Sequence, residues 1–230
     1  MIAASFKQEI EELYALFPEY LPSRLRVSAS REAFEKSERF FEGISSYQFR
    51  KNYIKHMGFP LLTSEFKQEL EEVLKQENIH SFIELYAGYG TLTLLLNEIG
   101  SKGKGYTLEP NGHNWGLDAD NKWYKVAREK QLLEHRDIAE LKLVSKPDMM
   151  VASWIPYEGG QELMTFAENN AKHLPEYFLL IGEGEGGCTW CNEGFKWLHL
   201  NFMEVHHFQD FISFDAIYDN AILYKRKLHE

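Results

Sequence analysis

The run SFIELYAGYGT at residues 81–91 combines an acid with two glycines at a spacing that suits ligand binding. Phe82 and Ile83 are apolar and β-prone, and residues 92–99 have a helical pattern. The expected order is strand, tight turn, helix N-terminus. Gly88 and Gly90 keep the turn free of side chains, so a bound molecule can approach the backbone closely. Glu84 at the strand's end can accept hydrogen bonds from a ligand's amine or hydroxyls. A second acid, Glu109, closes a short strand 19 residues after Gly90. In nucleotide-binding folds an acid at about that distance bonds ribose hydroxyls. Asp137 follows a third expected strand, SWIPY at 153–157 a fourth, and the loop GEGEGGCT at 182–189 a fifth. Glu183 and Glu185 in that loop can orient a nucleophile or act as general base. The loop suits a cationic or hydroxylated substrate and repels phosphates.

Glu84, Gly88 and Gly90 resemble the first motif of class I S-adenosylmethionine-dependent methyltransferases, E/D-x-G-x-G-x-G, with Tyr86 at the first glycine. ELYAGYGT is also similar to the DLxxGxG variants of some nucleic-acid methyltransferases. The resemblance implies a Rossmann-like α/β fold: a seven-stranded sheet closed by a C-terminal antiparallel hairpin. It implies S-adenosylmethionine as cofactor. In it, Glu84, Tyr86, Gly88 and Gly90 hold the donor's amino-acid part, Glu109 the ribose, and Asp137 the adenine amine. SWIPY resembles the fourth motif, [N/D/S]-P-P-Y, which stands beside the methyl donor in enzymes acting on amino nitrogen. Trp154 and Ile155 replace its first proline, with one extra residue. Ser153 is then expected beside the donor, with Tyr157, Glu183 and Glu185 as catalytic candidates. Asp137 has a competing duty, because Asp followed by IAEL also caps a helix.

These residues need elements to position them. Helices are expected at 5–17, 31–42, 47–57 and 65–76, making residues 1–78 a helical N-terminal extension of a domain at 79–230. That extension either covers the sheet or forms a lid that shapes the substrate pocket. Residues 100–105 read as a turn before a strand at 106–109. His113 and Trp115, in the loop that follows, are candidate walls of the site. A helix at 120–129 and a strand at 131–136 come next. The apolar runs at 149–153 and 177–182 suit buried parallel strands. Helices at 161–173 and 193–201 and strands at 202–208 and 216–225 complete the order.

Composition bounds the partners. The net charge is −10, of which residues 81–230 carry −8. Phosphate-backbone binding relies on cations, so a nucleic-acid substrate is disfavoured and a small-molecule or protein substrate is expected. No stretch of 18 apolar residues suggests a membrane span, and the acidic N-terminus does not read as a secretory leader. Two cysteines point to a reducing cytoplasm. Cys188 and Cys191, with His199, His206 and His207, match no standard zinc spacing, so no metal is expected. A nicotinamide-dependent oxidoreductase would want a third glycine where Thr93 stands. A scaffold that keeps the fold without catalysis is the other alternative. The sequence leaves the oligomeric state open.

Overall fold

A computed structural model describes residue 50 and residues 53–54, 57–107, 120–157, 160–214 and 217–227. The helices expected at 5–17 and 31–42, and Glu109, His113 and Trp115, lie outside the described residues.

Helix α1, Ser64–Gln76, begins where Thr63 caps the backbone N–H of Phe66. It buries Phe66, Leu70, Val73 and Leu74, the stripe expected of one apolar face. The chain then alternates strand and helix as far as β3 and passes from there to β4 without a helix: β1 Ser81–Leu85, α2 Thr91–Glu98, β2 Lys102–Thr107, α3 Lys122–Glu129, β3 Leu133–His135 and β4 Met149–Ser153. It continues through α4 Gly160–Asn169, β5 Tyr177–Glu183, α5 Asn192–Asn201, β6 Phe202–His207 and β7 Asp219–Arg226.

The strands form one sheet in the order β3-β2-β1-β4-β5-β7-β6. The pairs from β3 to β5 are parallel; β7 is antiparallel to both β5 and β6. The seven-stranded sheet and its terminal antiparallel hairpin are thus as expected. Side-chain alternation divides the core. Phe82, Val151, Leu179, Ile181, Ala221 and Leu223 share a cluster with α1, α2 and α3. Ile83, Leu85, Met150, Ala152, Phe178 and Leu180 share the other with α4 and α5. Both faces are therefore covered, which is why β4 and β5 read as continuous apolar runs.

Two expectations change. Residues 102–105 are strand rather than turn. Gly103 and Gly105 sit in β2 because packing leaves no room for a side chain. A Cβ on Gly105 would stand 2.7 Å from Ala87 Cβ and closer still to Thr93 Oγ1. No helix follows Asp137, where the chain instead makes a turn over residues 138–140. There Asn170 of the α4 end bonds Leu143 N–H and Leu141 C=O, giving the loop's backbone partners that a helix would otherwise supply.

Candidate active site

Strand order reverses between β1 and β4. The chain runs outward from β1 to β2 and β3, then returns to lay β4 against the other side of β1. Open α/β sheets bind ligands at the carboxyl ends of the strands at such a switch point. The turn after β1 and the SWIPY loop after β4 both emerge there.

The turn after β1 has an alternating backbone. Tyr86, Gly88 and Gly90 have φ values of +59°, +53° and +76°. Tyr86 therefore adopts the backbone conformation natural to the glycine it replaces, at a cost of roughly 1 kcal/mol. Its side chain packs against the cluster containing α4 and α5. Its hydroxyl donates to Glu162 Oε2 at 3.4 Å. Burial and the Glu162 charge push that phenol far above its usual range. Glu162 itself is held above the usual carboxylate range, by burial first and then by Asp137. Asp137 is exposed, and its Oδ1 accepts from the backbone N–H of Ala139 at 2.9 Å.

Glu84 is 2% exposed. Thr93 Oγ1 and the Thr93 backbone N–H both donate to its carboxyl group. The cap of α2 is Gly90, which has no side chain to offer. Glu84 reaches across from β1 to serve the helix's first turn in its place. Burial raises its pKa to about 8. The close approach of helix to sheet, which a third glycine provides in nicotinamide-binding turns, comes here from Gly105 on β2 facing Thr93.

The acceptor side lies across β4, β5 and β7. Glu183 at the end of β5 is opposite Asp219 at the start of β7. Its Oε2 accepts from Cys188 N–H at 2.6 Å, which folds the glycine-rich loop back on the strand. Glu185 is exposed at that loop's tip, and Tyr157 is 58% exposed beyond β4. Ser153 is 7% exposed, yet its Oγ has no hydrogen-bond partner among the described residues. Trp154 has φ +52°. Its indole N–H donates to Asp219 Oδ2 at 3.1 Å. Phe59 stacks on its ring at 5.0 Å, and the Arg50 guanidinium lies 4.8 Å from the ring centroid. Residues before α1 thus lie directly against the loop after β4.

Of the residues expected from the sequence, Glu84, Tyr86, Gly88, Gly90, Asp137, Ser153, Tyr157, Glu183 and Glu185 are described, and Glu109 lies outside the described residues. Asp219, Glu162 and Phe59 went unnamed. Asp219 carries no motif, and only the antiparallel register of β7 brings it to the carboxyl end of β5.

A comparison with solved structures settles the architecture. The magnesium protoporphyrin IX methyltransferase of Synechocystis PCC 6803, solved with bound S-adenosylhomocysteine, superposes with a TM-score of 0.51 at 11% identity. That match covers 86% of this chain and 96% of the other. The fold is that of the class I methyltransferases. An S-adenosylmethionine-dependent methyltransferase from Clostridium acetobutylicum ATCC 824 gives a TM-score of 0.50 at 12% identity, covering 78% of this chain and 98% of that one. No family model matches the sequence, and no curated protein matches it either. S-adenosylmethionine is the expected cofactor of this fold. The residues present fit it, because the β1 turn has the backbone bend that admits a ligand at the switch point.

Proposed function

We propose that the protein is an S-adenosylmethionine-dependent methyltransferase acting on a small-molecule or protein nucleophile. The observation that carries this reading is the turn after β1. Three left-handed residues, Tyr86, Gly88 and Gly90, lead from the buried Glu84 into α2 at the sheet's order reversal. In this reading Glu84, Tyr86, Gly88 and Gly90 form the donor's amino-acid subsite, Glu109 takes its ribose and Asp137 its adenine amine. Ser153 stands beside the reacting methyl. When bound, the donor supplies an activated methyl group on a sulfonium. The chain's part is to bind, orient and exclude water, and most of the rate comes from holding the nucleophile in line. Glu183, Glu185 and Tyr157 are the acceptor-side candidates. Residues 1–78 form the helical extension of the 79–230 domain, and contacts of Arg50 and Phe59 with Trp154 support its role as a lid. The proposed setting is the cytoplasm. No described helix is long and apolar enough to cross a membrane.

The second reading, a non-catalytic scaffold, is favoured by Tyr86. Its ring and the Glu162 hydrogen bond add bulk beside Asp137, where the adenine would lie. Ligand-dependent thermal unfolding separates the two. A ligand at a hundred times its Kd stabilises by about 2.7 kcal/mol, so S-adenosylhomocysteine should raise the midpoint by several degrees. NAD should leave it unchanged. A midpoint indifferent to S-adenosylhomocysteine at millimolar concentration favours the scaffold, and a rise with NAD alone favours an oxidoreductase.

A further inference from the structure

Three side chains on neighbouring strands share one sheet face at the carboxyl end of β5. Side chains alternate, and Val151, Ile181 and Ala221 all belong to the cluster with α1 and α2. Ser153, Glu183 and Asp219 are each two residues from one of these, so they project to that same face. Two of the three are buried polar groups with an unused atom. Asp219 is 9% exposed, and Trp154 binds its Oδ2 while its Oδ1 has no hydrogen-bond partner among the described residues. Ser153 is 7% exposed, and its Oγ is likewise without a partner among the described residues. Leaving a buried acceptor unmet costs about 1–3 kcal/mol. Two such groups on the strands that flank β5 are therefore unusual unless a ligand meets them.

We infer that Asp219 binds the methyl acceptor, and that the acceptor presents an amine to it. This rests on the methyltransferase reading for the word acceptor, but the binding itself does not. A carboxylate oxygen accepts, so the matching group must donate a hydrogen. The charges select a cation. Glu183 lies across the β5–β7 ladder from Asp219. Among the described residues, the Arg50 guanidinium also acts on Asp219, from its place over the Trp154 ring. An ammonium group would meet the unused oxygen and compensate the buried charge. Trp154 acts as a positioning residue: clasped by Phe59 and Arg50, it turns Oδ2 aside and leaves Oδ1 for the ligand.

Burial raises the Asp219 pKa to about 7, while the Trp154 hydrogen bond and Arg50 oppose the rise and Glu183 adds to it. Amine binding therefore strengthens as pH climbs through 7, where Asp219 becomes charged and a simple alkylamine stays protonated.

The test is calorimetric titration of the full chain with benzylamine and n-butylamine, with benzyl alcohol as the neutral counterpart, and separately with S-adenosylhomocysteine. The wild type should bind the amines, should do so about tenfold more tightly at pH 8 than at pH 6, and should ignore the alcohol. Asp219→Asn should lose at least tenfold in amine affinity and keep its S-adenosylhomocysteine affinity within twofold. The pH profile needs only the wild type, so it stands if the variant fails to fold. A wild type that takes S-adenosylhomocysteine but no amine at millimolar concentration, a flat pH profile, or an Asp219→Asn variant with unchanged amine affinity overturns the assignment. So does a variant that loses the two ligands together. Amine binding without S-adenosylhomocysteine binding overturns the methyltransferase reading and leaves the Asp219 site standing.

Discussion

At the scale of single residues, the buried acids connect stability to function. Glu84 is neutral at pH 7, since burial lifts its pKa to about 8. A carboxyl raised in the folded state contributes stability that is full below its ordinary range near 4.5 and is lost as pH rises through 8. Glu84→Gln keeps an oxygen for Thr93 and cannot ionise. The variant should match the wild type in urea unfolding at pH 5 and exceed it by a few kcal/mol at pH 9. Parallel stability curves across that range would mean that Glu84 does not carry the shift. Tyr86 is a different kind of compromise. Its φ of +59° is that of the missing glycine, and its ring and hydroxyl bind it to the α4 side. The motif departs in side chain while its backbone conformation is kept.

At the scale of elements, glycine placement decides how closely α2 approaches the sheet. Gly105→Ala would drive a Cβ into Thr93 and Ala87, so it should destabilise by about 1–3 kcal/mol and disturb the turn that α2 begins. Gly184→Ala meets nothing within 4 Å and should cost well under 1 kcal/mol. Thermal unfolding of the two variants checks the contrast; equal losses would remove the packing argument. This element also shows how far the sequence could be read. Residues 149–153 and 177–182 were legible as buried strands because burial on both faces leaves an unbroken apolar run. Residues 102–105 were misread as a turn because glycine and lysine suggest one, whereas close packing of α2 explains the glycines. The donor-side candidates were legible because they are local to one turn and one motif. Asp219 and Phe59 were not, because their places depend on the β5–β7 register and on a contact across 95 residues. No local pattern encodes either.

At the scale of the whole molecule, residues described before β1 and the sheet share one core. Tyr53, Met57, Leu61, Leu62, Phe66 and Leu70 are buried in the cluster that includes Val151 and Leu179. Deleting residues 1–78 should therefore leave an insoluble or unfolded chain rather than a smaller folded domain. A soluble, cooperatively unfolding 79–230 fragment would contradict that. Leu62→Ala, at a position 1% exposed, should cost about 2–5 kcal/mol in urea unfolding. The charge of −10, mostly in residues 81–230, predicts no measurable binding to duplex RNA at physiological salt. Micromolar RNA binding that weakens steeply with salt would instead place the chain with the nucleic-acid methyltransferases.

The most direct measurement of the donor site is calorimetric titration of the purified protein with S-adenosylhomocysteine, with Glu109→Ala as control. The account predicts one site of micromolar affinity in the wild type, weakened at least tenfold in the variant. A wild type that binds nothing at millimolar ligand would contradict it and leave the chain as a scaffold on a methyltransferase fold.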